Sequence, residues 1–232
     1  VAQPPFPRTR PLPELRYVRA PEPIVFPEEA EVPEGLRHLA VRTCLWRLLQ
    51  LALGPAHSVG SDQFVYWNAR DARRALSPDV FVKLDVPQSA FGSWQTWRDG
   101  GTPELAVEII SPSEGDGIAW DEKLARYHEL GVKELVRFDP EARAGQRLRA
   151  WDRVREDLVE RQIEGDRTPC LTLGLNWAVG AAGGEPVGLR LVDDAGRVLP
   201  APEEAAEARA DLAEARVREL EEQLRRAQGR SE

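Results

Sequence analysis

A chain of 232 residues, 42% hydrophobic and 30% charged, is long enough for one full core and an appendage. Its net charge is −8, and residues 201–232 hold nine acidic and six basic residues, so the body keeps about −5 and a broad basic nucleic-acid surface is disfavoured, though not a local basic groove. No apolar run approaches a membrane span, nothing at the start reads as a signal peptide, and Cys44 and Cys170 form no CxxC; a cytoplasmic protein without a zinc site or disulfide framework is expected.

Residues 1–33 are rich in proline and read as an extended N-terminal arm. A domain over 34–200 and a C-terminal helical segment over 201–232 follow. Apolar residues from Leu36 to Ala52 recur at helical spacing, predicting a helix over 34–53 that Gly54-Pro55 stops. Short strands are expected at 57–60 and 63–67, then a charged turn over 68–76 carrying Arg70, Arg73 and Arg74. A strand over 79–85 is followed by a loop whose Trp94 and Trp97 read as packing residues, and by a strand over 104–110. SPSEGDG is a loop, and 118–130 a helix ended by Gly131. Strands at 134–138, a hairpin over 147–154 and 157–163, and a strand at 188–192 complete the domain. Strand, helix, strand over 104–138 makes a crossover unit, so the class is α/β with a central mixed sheet flanked by helices.

In the tail Ala206, Ala210, Ala213, Val217, Leu220, Leu224 and Ala227 step by alternating fours and threes. That is a heptad seam flanked by Arg and Glu, and it predicts a coiled coil and a homo-oligomer, with a dimer favoured. The competing reading is an amphipathic helix lying on its own domain. Composition is also biased. Lys83, Lys123 and Lys133 are the only lysines, there is no Met, and Asn68 and Asn176 are the only asparagines. Such depletion with abundant Arg and Glu fits a thermophile, although a GC-rich genome also produces the Arg bias.

Two strand-like runs carry the chemistry. SPDVFVKLD places Asp79 just before Val80, Phe81 and Val82; PELAVEIISPS places Glu108 between Val107 and Ile109. A charge is costly to bury unless it is paired or binds a metal. If the two strands pair in register, both carboxylates reach one cation, and Mg²⁺ (or Mn²⁺) needs only one or two carboxylates with waters and a substrate phosphate. Lys123 edges the apolar stripe of Trp120, Leu124 and Tyr127 on the following helix, from which it can point toward Glu108; otherwise it snorkels over the stripe.

These stretches, with SWQTWRDGGTPELAVEIISPS, KLARYHELGVKELVRFDP and GLRLVDDAGRVLP, resemble the PD-(D/E)XK nuclease superfamily. More specifically they resemble the bacterial Uma family, described as putative restriction endonucleases. The resemblance implies a restriction-endonuclease-like core and a Mg²⁺-dependent endonuclease acting on DNA. It makes Asp79 the first acid, Glu108 the second, and the carbonyl of Ile109 a backbone metal ligand. The superfamily's lysine belongs two residues after Glu108, where this chain has Ile110; in the family the lysine stands on the next helix, at Lys123. An inactive nuclease-fold protein acting in nucleic-acid binding or protein assembly is the alternative that the displaced lysine leaves open.

The remaining candidates have blander readings. Glu34 and His38 are four apart on one face of the first helix; the resemblance allows an acid there to join the metal site, and a helix start with a half-buried histidine is the plainer account. Asp116 and Asp121 suit a helix N-terminus. Lys83 shares a face with Asp79. Arg70, Arg73 and Arg74 could contact phosphates or simply form a solvated turn.

Overall fold

The computed structural model describes residues 35–111 and 119–228. The N-terminal arm, Glu34 and Asp116 lie outside the described residues. In chain order the elements are α1 (Leu36–Leu53), β1 (Ser58–Gly60), β2 (Val65–Tyr66), β3 (Ala75–Leu76), β4 (Val80–Lys83), β5 (Trp94–Gln95) and β6 (Leu105–Ile109). Then follow α2 (Trp120–Leu130), β7 (Glu134–Phe138), β8 (Leu148–Val154), β9 (Asp157–Glu160), β10 (Arg167–Cys170), β11 (Leu175–Ala182), β12 (Glu185–Val192) and α3 (Pro202–Gln228).

Six strands form the central sheet in the order β1-β4-β6-β7-β8-β9. β6 and β7 run parallel and the other neighbours are antiparallel, so the sheet is mixed as the crossover pattern predicts. β6 is buried along its whole length, which explains its nearly continuous apolar sequence. One face packs against α1 and the β10-β11-β12 sheet, through Leu45, Leu48, Val80, Val107, Trp177 and Leu191. The opposite face packs against α2 and the small β3-β2-β5 sheet, through Phe81, Ala106, Tyr127, Trp94 and Leu76. α1 ends at Gly54, whose φ of 68° suits glycine and whose N–H bonds back to the carbonyl of Gln50. α2 ends at Gly131 in the left-handed conformation, with its N–H on the carbonyl of Tyr127.

Several boundaries differ from the expectation. The strands β10 and β11 were not anticipated, and β12 begins three residues before the strand expected at 188–192. Pro169, Gly180, Pro186 and Gly188 interrupt the apolar alternation there, and Gly183-Gly184, both at positive φ, turn β11 into β12. The turn over 68–76 closes into β3, and the tryptophan loop contributes β5; both are two-residue strands, too short for periodicity to register. Trp94 is buried as expected of a packing residue, whereas Trp97 is 43% exposed. No described helix is long and apolar enough to cross a membrane.

Candidate active site at the end of the central strands

β4 and β6 pair with Val80 opposite Val107, and continuing that register by one residue sets Asp79 opposite Glu108. Pro78 has no N–H to offer the Ile109 carbonyl, and its own carbonyl accepts from the N–H of Asp62, so both the carbonyl and the N–H of Ile109 find other partners. The Asp79 carboxylate takes the N–H: Ile109 N–H donates to Asp79 Oδ2 at 2.6 Å. The other oxygen, Oδ1, lies 3.1 Å from His38 Nε2, and that nitrogen lies 2.9 Å from the carbonyl oxygen of Ile109. The first turn of α1 therefore brings an imidazole onto the expected first acid and onto the expected backbone ligand together.

Glu108 is 1% exposed. Its Oε2 accepts from Lys123 Nζ at 2.6 Å, and its Oε1 accepts from the Tyr127 hydroxyl. Lys123 and Tyr127 are one turn apart on α2 and grip the two oxygens of one carboxylate. Burial pushes the Glu108 carboxyl above the ordinary carboxylate range; the Lys123 charge opposes this, the neighbouring Asp79 adds to it, and the hydrogen bonds from Lys123 and Tyr127 pull back down. The site sits at the carboxyl end of β6, where open α/β sheets place ligands.

Sequence reasoning assigned Tyr127 to the apolar stripe and missed its hydroxyl. Its spacing of four from Lys123 was the available signal. Arg137, opposite Glu108 across β6 and β7, was also passed over; its guanidinium lies 5.0 Å from the centre of the Trp120 ring. Ile110, at the position of the superfamily lysine, is half-buried and lines a cavity of about 330 Å³ with Leu36, Arg37, His38 and Pro140.

The other candidates lie elsewhere. Lys83 joins Glu104, at 2.7 Å, not Asp79. Lys133 reaches the same Glu104 at 3.9 Å, so each of the three lysines faces a buried glutamate. Arg73 is held by Asp71 and Arg74 by Glu129, and these two arginines line a separate cavity with Trp67 and Arg126, while Arg70 is exposed in the turn. Asp121 is exposed in the first turn of α2, as expected of a charge complementing the helix dipole. His57 Nδ1 accepts from the N–H of Asp85, and His128 faces Asp157.

Whether these residues suit a cation depends on the donors. Among the described residues no group of three or more His, Cys, Asp or Glu side chains is gathered for a metal. The set here is instead two side chains and a peptide oxygen. Adjacent ligands of an octahedral ion with bonds of about 2.1 Å stand about 3.0 Å apart. The His38–Asp79 and His38–Ile109 separations of 3.1 and 2.9 Å match that spacing. Carboxylate, carbonyl and imidazole together make a fitting donor set for Mn²⁺, and the two oxygens alone for Mg²⁺.

A family model described as Uma2, "Putative restriction endonuclease", matches residues 27–180. Among solved structures the chain is similar to a putative nuclease of DUF820 from Anabaena variabilis ATCC 29413, with 13% identity, a TM-score of 0.40, and 75% of this chain and 76% of that one covered. No curated protein matches.

Proposed function

This chain belongs to the Uma2 family, and from that premise we propose that it is a metal-dependent endonuclease hydrolysing DNA phosphodiester bonds in the cytoplasm. The observation that supports this most is the convergence at one strand end of Asp79, the Ile109 carbonyl and His38 on one side, and Glu108 with Lys123 on the other. Asp79 Oδ1 and the Ile109 carbonyl would hold Mg²⁺ or Mn²⁺, with Glu108 beside them. Such an ion would lower the pKa of water and stabilise the charge that develops at phosphorus.

The protein's own groups divide the remaining work. The Ile109 N–H fixes the rotation of the Asp79 carboxylate, so that Oδ1 is turned toward the shared position. His38 Nε2, when it carries its hydrogen, can share that one N–H between the two oxygens; in the neutral tautomer protonated on Nδ1 it offers a lone pair beside them instead. In the second role it favours Mn²⁺. Lys123 supplies a positive charge next to Glu108 and can orient the attacking water; a lysine on a neighbouring helix serves as well as one on β6, because only the position of its ammonium group matters. Tyr127 keeps Glu108 from turning away. Ile110 then has no part in proton transfer.

The test is cleavage of supercoiled plasmid and single-stranded DNA with Mg²⁺ or Mn²⁺. Wild type should cut, and Asp79→Ala, Glu108→Ala and Lys123→Ala should each lose about 10²-fold or more, the scale of removing one positioned electrostatic group. If wild type cleaves no better than the three variants with either metal, the nuclease reading fails. The fold would then serve nucleic-acid binding or assembly, as the full occupation of both Glu108 oxygens by Lys123 and Tyr127 would suit.

A further inference from the structure

Among the described residues, α3 is tied to the body at its start. Ala201 is buried, and its N–H donates to Glu204 Oε2 at 2.7 Å. Glu204 also takes both terminal nitrogens of Arg190, at 2.9 and 2.7 Å, and Glu203 meets Arg47 at 2.9 Å. Beyond that clamp, every described side chain from Ala206 to Arg226 is exposed. The helix leaves the domain for about 30 Å at 1.5 Å per residue. Val217 and Leu220 are 54% and 47% exposed, so the apolar seam is not laid on the chain's own body.

The charges beside that seam specify what can cover it. With Ala210, Val217 and Leu224 at heptad position a, and Ala213 and Leu220 at d, position e holds Glu207, Glu214 and Glu221. Position g holds Arg209, Arg216 and Gln223. In a parallel, in-register pair each g residue faces the e residue of the next heptad on the other helix. Arg209 would meet Glu214 and Arg216 would meet Glu221 in both directions. In an antiparallel pair g faces g and e faces e, which sets Arg against Arg and Glu against Glu. Among the described residues two intrahelical bonds of these arginines compete, Arg216 to Glu219 at 2.5 Å, between side chains 60% and 55% exposed, and Arg209 Nε to the Ala205 carbonyl at 3.0 Å; such exposed contacts are readily exchanged.

We propose that α3 is the dimerisation element of this protein, and that its occupant is the α3 of a second copy in parallel register. The resulting two-fold axis runs along the helices, so both domains lie at the same end of the assembly. The seam is apolar and self-complementary, and its flanks attract in this orientation alone.

The full chain should sediment at tens of micromolar with twice the 25.9 kDa of one copy. Val217→Asp with Leu220→Asp should halve that mass. Arg209→Glu with Arg216→Glu makes both flanks acidic, and Glu214→Arg with Glu221→Arg makes them largely basic. Each double variant alone should dissociate at least tenfold more readily, and an equimolar mixture should return to the dimer mass. Orientation is read from Ala227→Cys, whose copies should cross-link on mild oxidation, Cys44 and Cys170 being buried. A monomeric wild type, a mixture that stays monomeric, or a dimer whose Ala227→Cys form does not cross-link would each overturn the proposal.

Discussion

Replacing Lys123 by Met tests the coupling at the centre of the site without reference to activity. The Nζ to Glu108 bond is 2.6 Å long, the glutamate side chain is 2% exposed and the lysine side chain 18%. Breaking a buried pair by removing one partner costs about 3–5 kcal/mol. Here the Tyr127 hydrogen bond remains and the carboxyl can protonate, so about 3 kcal/mol is expected near pH 8. For a domain of this size that is a fall in Tm of about 6–12 °C. The pH dependence has a definite sign. Burial already raises the Glu108 carboxyl above its usual 4.5, and Lys123 holds it down, so the variant's carboxyl rises further. A raised carboxyl leaves the native state holding a proton that the unfolded chain has released, so stability falls as pH climbs from about 4.5 toward the raised native value. The loss should therefore be small at pH 5, about 1 kcal/mol for a lost hydrogen bond, and full by pH 8. Urea unfolding with a chelator present, at both pH values, measures it. Lys123→Met combined with Glu108→Gln should regain most of the loss, because no buried charge is left. An equal loss at both pH values, or a double variant no better than the single one, would refute the reasoning.

Three further outcomes follow from the geometry. Calorimetric titration with Mn²⁺ should show binding by wild type that Asp79→Asn abolishes and His38→Ala weakens; unchanged binding in both would remove them from the ligand set. Burial raises the thiols of Cys44 and Cys170 above the usual value, so neither should react with a thiol reagent until the chain is unfolded; fast labelling of the native protein would contradict this. A Cβ on Gly60 would lie 2.2 Å from the Phe81 ring, so Gly60→Ala should cost about 1–3 kcal/mol in thermal melts, and an unchanged Tm would show that the ring can move aside.

The heart of the site was legible because two acids stand out in apolar strands. Pro78 before Asp79 and the buried run around Glu108 placed both, and antiparallel register set them opposite each other. The rarity of lysine also held information: all three face buried glutamates, and Lys123 faces the one in the site. His38 was visible as a candidate but not as a neighbour of Asp79, because that contact joins residues far apart in sequence and depends on how α1 lies across the sheet. Tyr127 was hidden by its own ring, which packs in the core while its hydroxyl reaches Glu108. The β10-β11-β12 sheet was obscured by prolines and glycines, whose backbone roles break the alternation that marks a strand. The family resemblance was legible from the motifs around Asp79 and Glu108, and the family model matches residues 27–180.

The most direct measurement is anomalous diffraction from a crystal soaked in Mn²⁺. The account predicts one strong peak at bonding distance from Asp79 Oδ1 and the Ile109 carbonyl oxygen, beside Glu108 and within reach of His38 Nε2. A fully occupied Mn²⁺ bound elsewhere, or an imidazole that keeps its place between the two oxygens with no ion at saturating metal, would contradict it.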